Sequence, residues 1–179
     1  MSKGKKESSI EEEFEELSLP KKKRINSKKK GNAAELALSK IFNEKFGNGK
    51  FARTVMSGAY LGKSNFTRSS LLTEEQQLAF IGDLITPLNF KFCIESKAYE
   101  TADFWDLFNE SSPINEWFKQ TETDSKRAHK KPLIIVKYNN KKRIVYTKEP
   151  IENPVFTFKG WNCLWLEDFL NLPNEFFFD

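Results

Sequence analysis

The stretch that decides the fold reads IGDLITPLNFKFCIESKA, from Ile81 to Ala98. Its two apolar runs are joined around Asn89 and predict two neighbouring strands, with Pro87 acceptable at a sheet edge. Side chains alternate between the two faces of a strand, so Glu95 and Lys97 share one face of the second strand. An acid and an amine therefore project together from a largely apolar strand.

Asp83 lies in the first of these strands, and pairing of the two strands would place its carboxylate opposite Glu95. Two carboxylates at one focus suit Mg²⁺ or Mn²⁺, and the backbone carbonyl of Ser96 would complete the protein's share of the ligands. The cation would activate a water and polarise a phosphoryl oxygen, while Lys97 would orient the nucleophile or offset developing charge. The alternative is an exposed Glu–Lys ion pair, which contributes only about 0.5 kcal/mol.

The apolar spacing before this stretch predicts further elements. A 3.6-residue period predicts a helix from Gly31 to a stop at Gly47, with Glu35 in its first turn or two. The segment KFARTV predicts a strand. Thr73, followed three residues later by Gln76, forms a capping box that predicts a short helix.

The residues after this stretch complete the pattern. Pro113 predicts the start of a second helix, which runs from about Ile114 to His129. PLIIVKY and KRIVYTK predict a hairpin with a two-residue turn at Asn139-Asn140, and the last residues predict one or two strands and a short helix. This order predicts an α/β fold with a central mixed β-sheet flanked by helices.

Charge divides the chain into a tail and a body. Residues 1–30 carry ten basic and six acidic side chains, which account for the whole net charge of +4. Glu11 to Glu16 form an acidic block and Lys21 to Lys30 a basic one. Such blocks bury little apolar surface, so we expect residues 1–30 to be a disordered charged tail and residues 31–179 to be a single domain. The tail is either a solubilising segment or a DNA-binding arm, and its PKKKR motif also resembles a nuclear localisation signal.

Composition excludes other classes of protein. No stretch approaches the roughly 20 apolar residues of a membrane span, and the N-terminus lacks the apolar centre of a signal peptide. We expect a soluble protein of the cytoplasm, or of the nucleus in a eukaryotic host. Cys93 and Cys163 each lie in an apolar run typical of a buried thiol, and His129 is the only histidine, which argues against a zinc site.

A second basic region follows the candidate site. Between Lys119 and Lys148, ten Lys and Arg stand against Glu122 and Asp124. The alternatives are ordinary solvated faces or a surface that follows DNA phosphates. The cations that we predict to contact DNA are Lys21, Lys22, Lys23, Arg24, Lys28, Lys29, Lys30, Arg53, Lys126, Arg127, Lys130 and Lys131.

Six segments of the chain occur in an informative order. They are KKKGNAAELALSKIF, RTVMSG, GDL, IESK, EWFKQ and KPLIIVKY. Over about residues 29–138, this order resembles the PD-(D/E)xK nuclease superfamily, and within it the archaeal and phage Holliday junction resolvases. The resemblance implies a restriction-endonuclease-like core and a Mg²⁺-dependent cut in DNA, with Mn²⁺ able to substitute.

The resemblance also implies roles for individual residues. Asp83 and Glu95 would be metal ligands, and Lys97 would be the catalytic lysine. Glu35 would be an accessory acid near a second metal or the attacking water. Ser57 falls where such resolvases often keep a serine near the scissile phosphate.

Gln120 falls where related nucleases carry a helix glutamine near the site. Two features depart from the family pattern. Gly82 stands in place of the proline that names the motif, and we expect it to be tolerated because the proline only shapes the turn. The connection at positions 59–82 is longer than expected.

These observations predict a metal-dependent, structure-selective DNA endonuclease that resembles Holliday junction resolvases. A four-way junction has two-fold symmetry and is cut in two strands, so we expect a homodimer with two sites. One alternative is another nicking or recombination nuclease of a phage or mobile element. The other is a catalytically inactive DNA-binding module of the same fold.

Overall fold

The computed structural model describes residues 27–54, 73, 77–78, 80–101, 105 and 108–179. Its first helix, α1, spans Ser27–Phe46 and ends at Gly47, where φ is 110°. Glycine adopts this left-handed conformation without a steric penalty, so the predicted stop is confirmed. The helix begins before the predicted Gly31, because lysine is a good helix former and residues 28–30 extend it.

A two-stranded antiparallel ladder forms beside the main sheet. Strand β1 (Ala52–Arg53) pairs with β2 (Leu84–Ile85). Both predicted strands are present, but β2 is shorter than predicted and pairs with β1, not with the strand that follows it. Gly82, with a φ of 88°, lies before β2 and Pro87 lies after it, so the ladder cannot extend far in either direction.

The main sheet and its helices account for the rest of the described chain. Their bounds are β3 Phe92–Tyr99, α2 Pro113–Arg127, β4 Lys131–Tyr138, β5 Arg143–Thr147, β6 Phe156–Phe158, β7 Trp161–Trp165, α3 Leu166–Leu170 and α4 Asn174–Phe177. The five strands lie in the order β3-β4-β5-β7-β6. Strands β3 and β4 are parallel and joined through α2, whereas the other neighbouring pairs are antiparallel, so the sheet is mixed.

Helices cover both faces of this sheet. Apolar side chains of α1, α3 and α4 pack on one face against Phe92 and Ile94. Helix α2 packs on the other face, where the ring of Phe118 stacks on Trp161 with centroids 4.5 Å apart. The predicted α/β fold, with a central mixed sheet flanked by helices, is confirmed.

Pro113 begins α2 as predicted, and Ser112, which was not predicted, caps the helix. The Ser112 hydroxyl accepts a hydrogen bond from the Ile114 N–H at 3.5 Å, and proline occupies the first helical position. The helix ends at Arg127, just before the predicted end at His129. Within the described ranges, no helix is both long enough and apolar enough to cross a membrane.

The predicted short helix near Thr73 is described only in part. Gln77 and Leu78 are helical, and the Gln77 N–H donates to the Thr73 carbonyl at 2.9 Å. Gln76, the second member of the predicted capping box, lies outside the described residues.

The hairpin between β4 and β5 turns at Asn139-Asn140 as predicted, but its connection is longer than two residues. The Lys141 N–H donates to the Tyr138 carbonyl at 3.3 Å, and the ladder resumes with the pair Lys137 and Arg143. A register shifted by one residue would turn every side chain of β5 to the opposite face. Burial of the apolar side chains of β5 therefore selects the longer connection.

Both cysteines are buried free thiols, as predicted. Burial raises the pKa of Cys93 to about 12, and it raises the pKa of Cys163 to about 12 as well. Neither sulfur is a ready thiolate near neutral pH, so these side chains serve packing.

Candidate active site

Strand β3 carries the acid and the amine of the candidate site. The alternation of the strand directs Glu95 and Lys97 to the face covered by α2, while Ile94 points to the face covered by α1. The Lys97 Nζ donates to the Glu95 Oε1 at 2.6 Å. The side chain of Glu95 is only 8% exposed and that of Lys97 18%, so the exposed ion pair considered above does not describe them.

Hydrogen bonds hold Asp83 between the outer edge of β3 and Thr54, the residue after β1. Its backbone N–H donates to the Ile94 carbonyl at 2.8 Å, and its own carbonyl accepts from the Thr54 N–H at 2.9 Å. Its side-chain Oδ2 accepts from the Ser96 N–H at 2.8 Å. The predicted approach of Asp83 to β3 is therefore present, although it is made by these contacts and not by a regular strand ladder.

Gly82 allows this approach. We expected glycine to be tolerated in place of proline, but the structure shows that glycine has a role of its own at this position. Its φ is 88°, whereas the ring of proline fixes φ near about −65°. A Cβ at this position would lie 2.9 Å from the Ile94 carbonyl oxygen and 3.0 Å from the Cys93 Sγ. This backbone therefore requires glycine at position 82, because any side chain would push Asp83 away from β3.

The buried carboxylate of Asp83 opposes the ionisation of Glu95. Burial and the neighbouring Asp83 raise the pKa of Glu95 from 4.5 to about 7, although Lys97 acts in the opposite direction. With backbone and side chain taken together, Asp83 is 8% exposed and Glu95 is 6% exposed. A divalent cation between them would relieve this repulsion, so the pair fits the oxygen-ligand chemistry of Mg²⁺ or Mn²⁺.

The backbone of Ser96 offers a third oxygen. Within a strand, the N–H and C=O of one residue point to the same edge. The Ser96 N–H faces Asp83, so its carbonyl is also directed to the outer edge of β3, away from β4. Among the described residues, no three His, Cys, Asp or Glu side chains converge closely enough to hold a metal ion. The protein ligands that fit are thus Asp83, Glu95 and this carbonyl.

Helix α2 contributes a side chain to the site from above the same face. The Gln120 Oε1 accepts a hydrogen bond from the Lys97 Nζ at 3.4 Å, so the helix glutamine and the lysine that the resemblance implies lie together. One turn later, the carboxylate of Asp124 also acts to raise the pKa of Glu95. Asp124 was absent from the predicted site residues, although its spacing of four from Gln120 on one helix could have indicated it.

Glu35 is engaged with a different partner. Its Oε2 accepts from the Arg53 Nε at 2.6 Å, and the Arg53 Nη2 donates to the Asn32 Oδ1 at 2.7 Å. Arg53 belongs to β1, whose neighbour Thr54 bonds to the Asp83 backbone. Glu35 is therefore linked to Asp83 through this strand, and its role as an accessory acid stays a prediction.

The predicted DNA-contacting cations fall into several groups. Lys28 and Lys29 are exposed on the first turns of α1, and Lys126 and Arg127 are exposed at the end of α2. The ammonium of Lys130 donates to the Thr86 hydroxyl at 2.6 Å and to the Pro87 carbonyl at 3.2 Å.

Two further cations of that set are engaged within the protein. Lys131 forms an ion pair with Glu149. Arg53 is the partner of Glu35 described above. Together with Lys130, they are occupied in this structure, so the DNA surface predicted from the sequence stays a prediction. Ser57 and residues 21–24 lie outside the described residues.

Two features are typical of the PD-(D/E)xK class of nucleases. One is a mixed sheet with helices on both faces, and the other is the grouping of Asp83, Glu95 and Lys97 at its edge. A family model described as "Phage putative PDDEXK endonuclease" matches residues 26–157, about three quarters of the chain. The chain therefore belongs to this phage endonuclease family, and the predicted superfamily is confirmed. Searches of the curated proteins and of the solved structures find no match.

Proposed function

We propose that this protein is a divalent-metal-dependent endodeoxyribonuclease that hydrolyses phosphodiester bonds at the edge of β3. The observation that carries the proposal is the burial of two carboxylates, Asp83 and Glu95, beside an ammonium bonded to one of them. Burying such a group of charges without a function would cost stability, because each is removed from water. In a nuclease, this group of charges forms a site that binds a cation and a phosphate together.

The metal would be Mg²⁺, or Mn²⁺ in its place, held by Asp83, Glu95 and the Ser96 carbonyl. When bound, such a cation supplies an activated water and neutralises charge on the phosphoryl oxygens. Lys97 shares the Glu95 carboxylate and holds an ammonium beside this position. Gln120 fixes the direction of that ammonium by accepting one of its hydrogens. Lys97 is thus placed to orient the attacking water or to stabilise negative charge in the transition state.

The proposed substrate is branched DNA, and in particular the four-way junction. The order of the six segments, from the helix that contains Glu35 to β4, supports this choice because it resembles the junction resolvases. A junction with two-fold symmetry is cut in both strands by two equivalent sites, so the proposed active form is a homodimer. The cut would serve DNA recombination or repair.

A second candidate is a nicking or recombination nuclease that cuts ordinary duplex as readily as junctions. The phage origin of the matched family favours it, because its description specifies no branched substrate. An inactive DNA-binding module is the third candidate. The second candidate shares the fold and the site with the first, so only the substrate separates them.

The test is a panel of labelled junction, flap and linear duplex DNA incubated with Mg²⁺ and the full chain. Paired symmetric nicks confined to the junction would support the resolvase proposal, and equal cutting of duplex would support the alternative nuclease. Asp83→Asn should abolish cleavage of each substrate, whereas Asp168→Asn, a change at an exposed acid of α3, should not. Cleavage that survives Asp83→Asn would refute the assigned site, and DNA binding without any cleavage would indicate the inactive module.

A further inference from the structure

A basic groove of about 390 Å³ lies on the α1 face of the sheet, apart from the metal-binding edge of β3. Ile41 of α1 and Leu170 of α3 line its apolar sides. Lys137 of β4 and Arg143 of β5 line its polar side, together with Lys142 and Glu167. The groove therefore combines three cations with a single carboxylate.

Arg143 has no acidic partner among the described residues, whereas four other cations between Lys119 and Lys148 do. Lys131, Lys142 and Lys148 each form an ion pair with a glutamate, and Arg127 pairs with Asp124. Among the described residues, no acidic side chain pairs with the Arg143 guanidinium. Burial nevertheless lowers its pKa, which shows that the charge is partly removed from water.

Lys137 is the cross-strand partner of Arg143 and points to the same face. Its ammonium donates one hydrogen to the Lys141 carbonyl in the hairpin turn, which fixes its position and leaves two N–H groups for a ligand. Lys142 is paired with Glu167, but both side chains are more than half exposed, so this pair contributes little and can open. An anion in the groove would thus contact the Arg143 guanidinium and the Lys137 ammonium.

The groove is close to the catalytic strand. In the backbone register of the sheet, Lys137 lies opposite Ala98 of β3, the residue after Lys97. On its other side, Lys137 lies opposite Arg143 of β5. Adjacent strands are about 4.8 Å apart, so the Arg143 backbone lies roughly 10 Å from that of Ala98. Lys137 and Arg143 project to the α1 face of the sheet, whereas Glu95 and Lys97 project to the α2 face, so the groove and the candidate active site would contact separate phosphates of one DNA molecule.

We propose that Arg143 and Lys137 bind a backbone phosphate of the DNA substrate on the α1 face of the sheet, apart from the phosphate that is cut. This inference rests on the proposed nuclease function and adds a DNA contact to it. Arginine suits the role because its planar guanidinium binds two phosphate oxygens at once. Phosphate would also supply the missing counter-ion of a partly buried cation. The contact positions DNA and does not take part in the chemical step.

The test measures DNA affinity by fluorescence anisotropy, without metal, at salt concentrations from about 50 to about 300 mM. The full chain carries Asp83→Asn to prevent cleavage, and Arg143→Gln is compared with Lys45→Gln, a change at an exposed lysine of α1. We expect Arg143→Gln to weaken binding roughly eightfold near 0.1 M salt and to reduce the log-log salt slope by about one. Arg143→Lys should bind with intermediate affinity, and Lys45→Gln should match its parent.

The same variants are tested for folding and cleavage without the Asp83 change. Arg143→Gln should keep the melting temperature, because it breaks no ion pair within the described part of the chain. Cleavage at limiting DNA should fall by about the same factor as the affinity. A parent that neither binds nor cuts DNA would refute the nuclease function itself, whereas a parent that binds equally with and without Arg143 would refute only this inference.

Inorganic phosphate is titrated against the wild-type chain and Arg143→Gln in parallel. We expect no thermal stabilisation of either at millimolar phosphate, since one phosphate ion lacks the neighbouring contacts of a DNA strand. A stabilisation that disappears in Arg143→Gln would identify a site for small anions and overturn the assignment to DNA.

Discussion

The Ser96 N–H donates a hydrogen bond to the Asp83 Oδ2 at 2.8 Å. This bond joins a short ladder, β1 and β2, to the outer edge of the main sheet. It brings the first acid of the site to the strand that carries Glu95 and Lys97. The site therefore depends on the close approach of two segments, and the backbone at Gly82 controls that approach.

Gly82→Ala should destabilise the protein by about 2–4 kcal/mol and abolish cleavage. The new Cβ would lie 2.9 Å from the Ile94 carbonyl oxygen, and the alanine would have an unfavourable positive φ. Gly49→Ala is the matched control, because Gly49 also has a positive φ, of 80°, but no atom within 4 Å of its Cβ position. Urea unfolding should show a loss of only about 1 kcal/mol for the control. Equal losses for the two variants would show that the close approach to β3 is unimportant.

Glu95→Gln should stabilise the metal-free protein at pH 8 but not at pH 4. The folded pKa of Glu95, about 7, is above its ordinary value of 4.5, so the wild type loses stability as pH rises from about 4.5 to about 7. Glutamine stays neutral and avoids this loss, which we expect to reach about 1–3 kcal/mol. The measurement is chemical unfolding at several pH values in chelator, with Glu44→Gln on exposed α1 as the control. A stability difference that did not vary with pH would contradict the raised pKa of Glu95.

Mg²⁺ should raise the melting temperature of the wild type at pH 8, with a smaller effect at pH 6. The cation needs the ionised carboxylates, and protonation of Glu95 below about pH 7 competes with it. At a hundredfold excess over the dissociation constant, binding contributes about 2.7 kcal/mol. Asp83→Asn should remove the effect in a thermal-shift assay, while Asp168→Asn should retain it. A full Mg²⁺ shift in Asp83→Asn would place the cation elsewhere.

Lys97→Gln should slow cleavage by about 10²- to 10³-fold while preserving Mg²⁺ binding. The change removes the ammonium that bonds to Glu95 and Gln120, but it leaves the oxygen ligands in place. Single-turnover cleavage and Mg²⁺ titration separate these two effects. Lys119→Gln, at an exposed position of α2, should cleave at the wild-type rate. Loss of Mg²⁺ binding in Lys97→Gln would instead assign the lysine a structural role at the metal site.

Local patterns predicted most of the elements, because they reflect short-range sterics and hydrogen bonding. The stop of α1 at Gly47, the start of α2 at Pro113 and the long apolar strand around Glu95 all follow from neighbouring residues. The turn at Asn139-Asn140 was located in the same way. The length of its connection was not, because the register depends on which face of β5 is buried by other elements.

Contacts between distant segments explain what the sequence did not predict. Lys130 belongs to a basic stretch, yet its ammonium bonds to Thr86 and Pro87, which are more than forty positions away. Asp124 acts on Glu95 only because α2 packs over β3. Charge counts along the chain cannot reveal such pairings.

The sequence by itself determined that Glu95 and Lys97 share one face of a strand, since side-chain alternation is a property of the extended backbone. The order of short segments over about residues 29–138 also predicted the nuclease superfamily, which the family model matched to residues 26–157 confirms. Only the tertiary structure decided that Asp83 reaches that strand and that the Ser96 carbonyl faces the same edge. It likewise decided that, among the described residues, no acidic side chain pairs with Arg143. Those features depend on long-range packing, whose free energy is shared among many residues and is not encoded in any single motif.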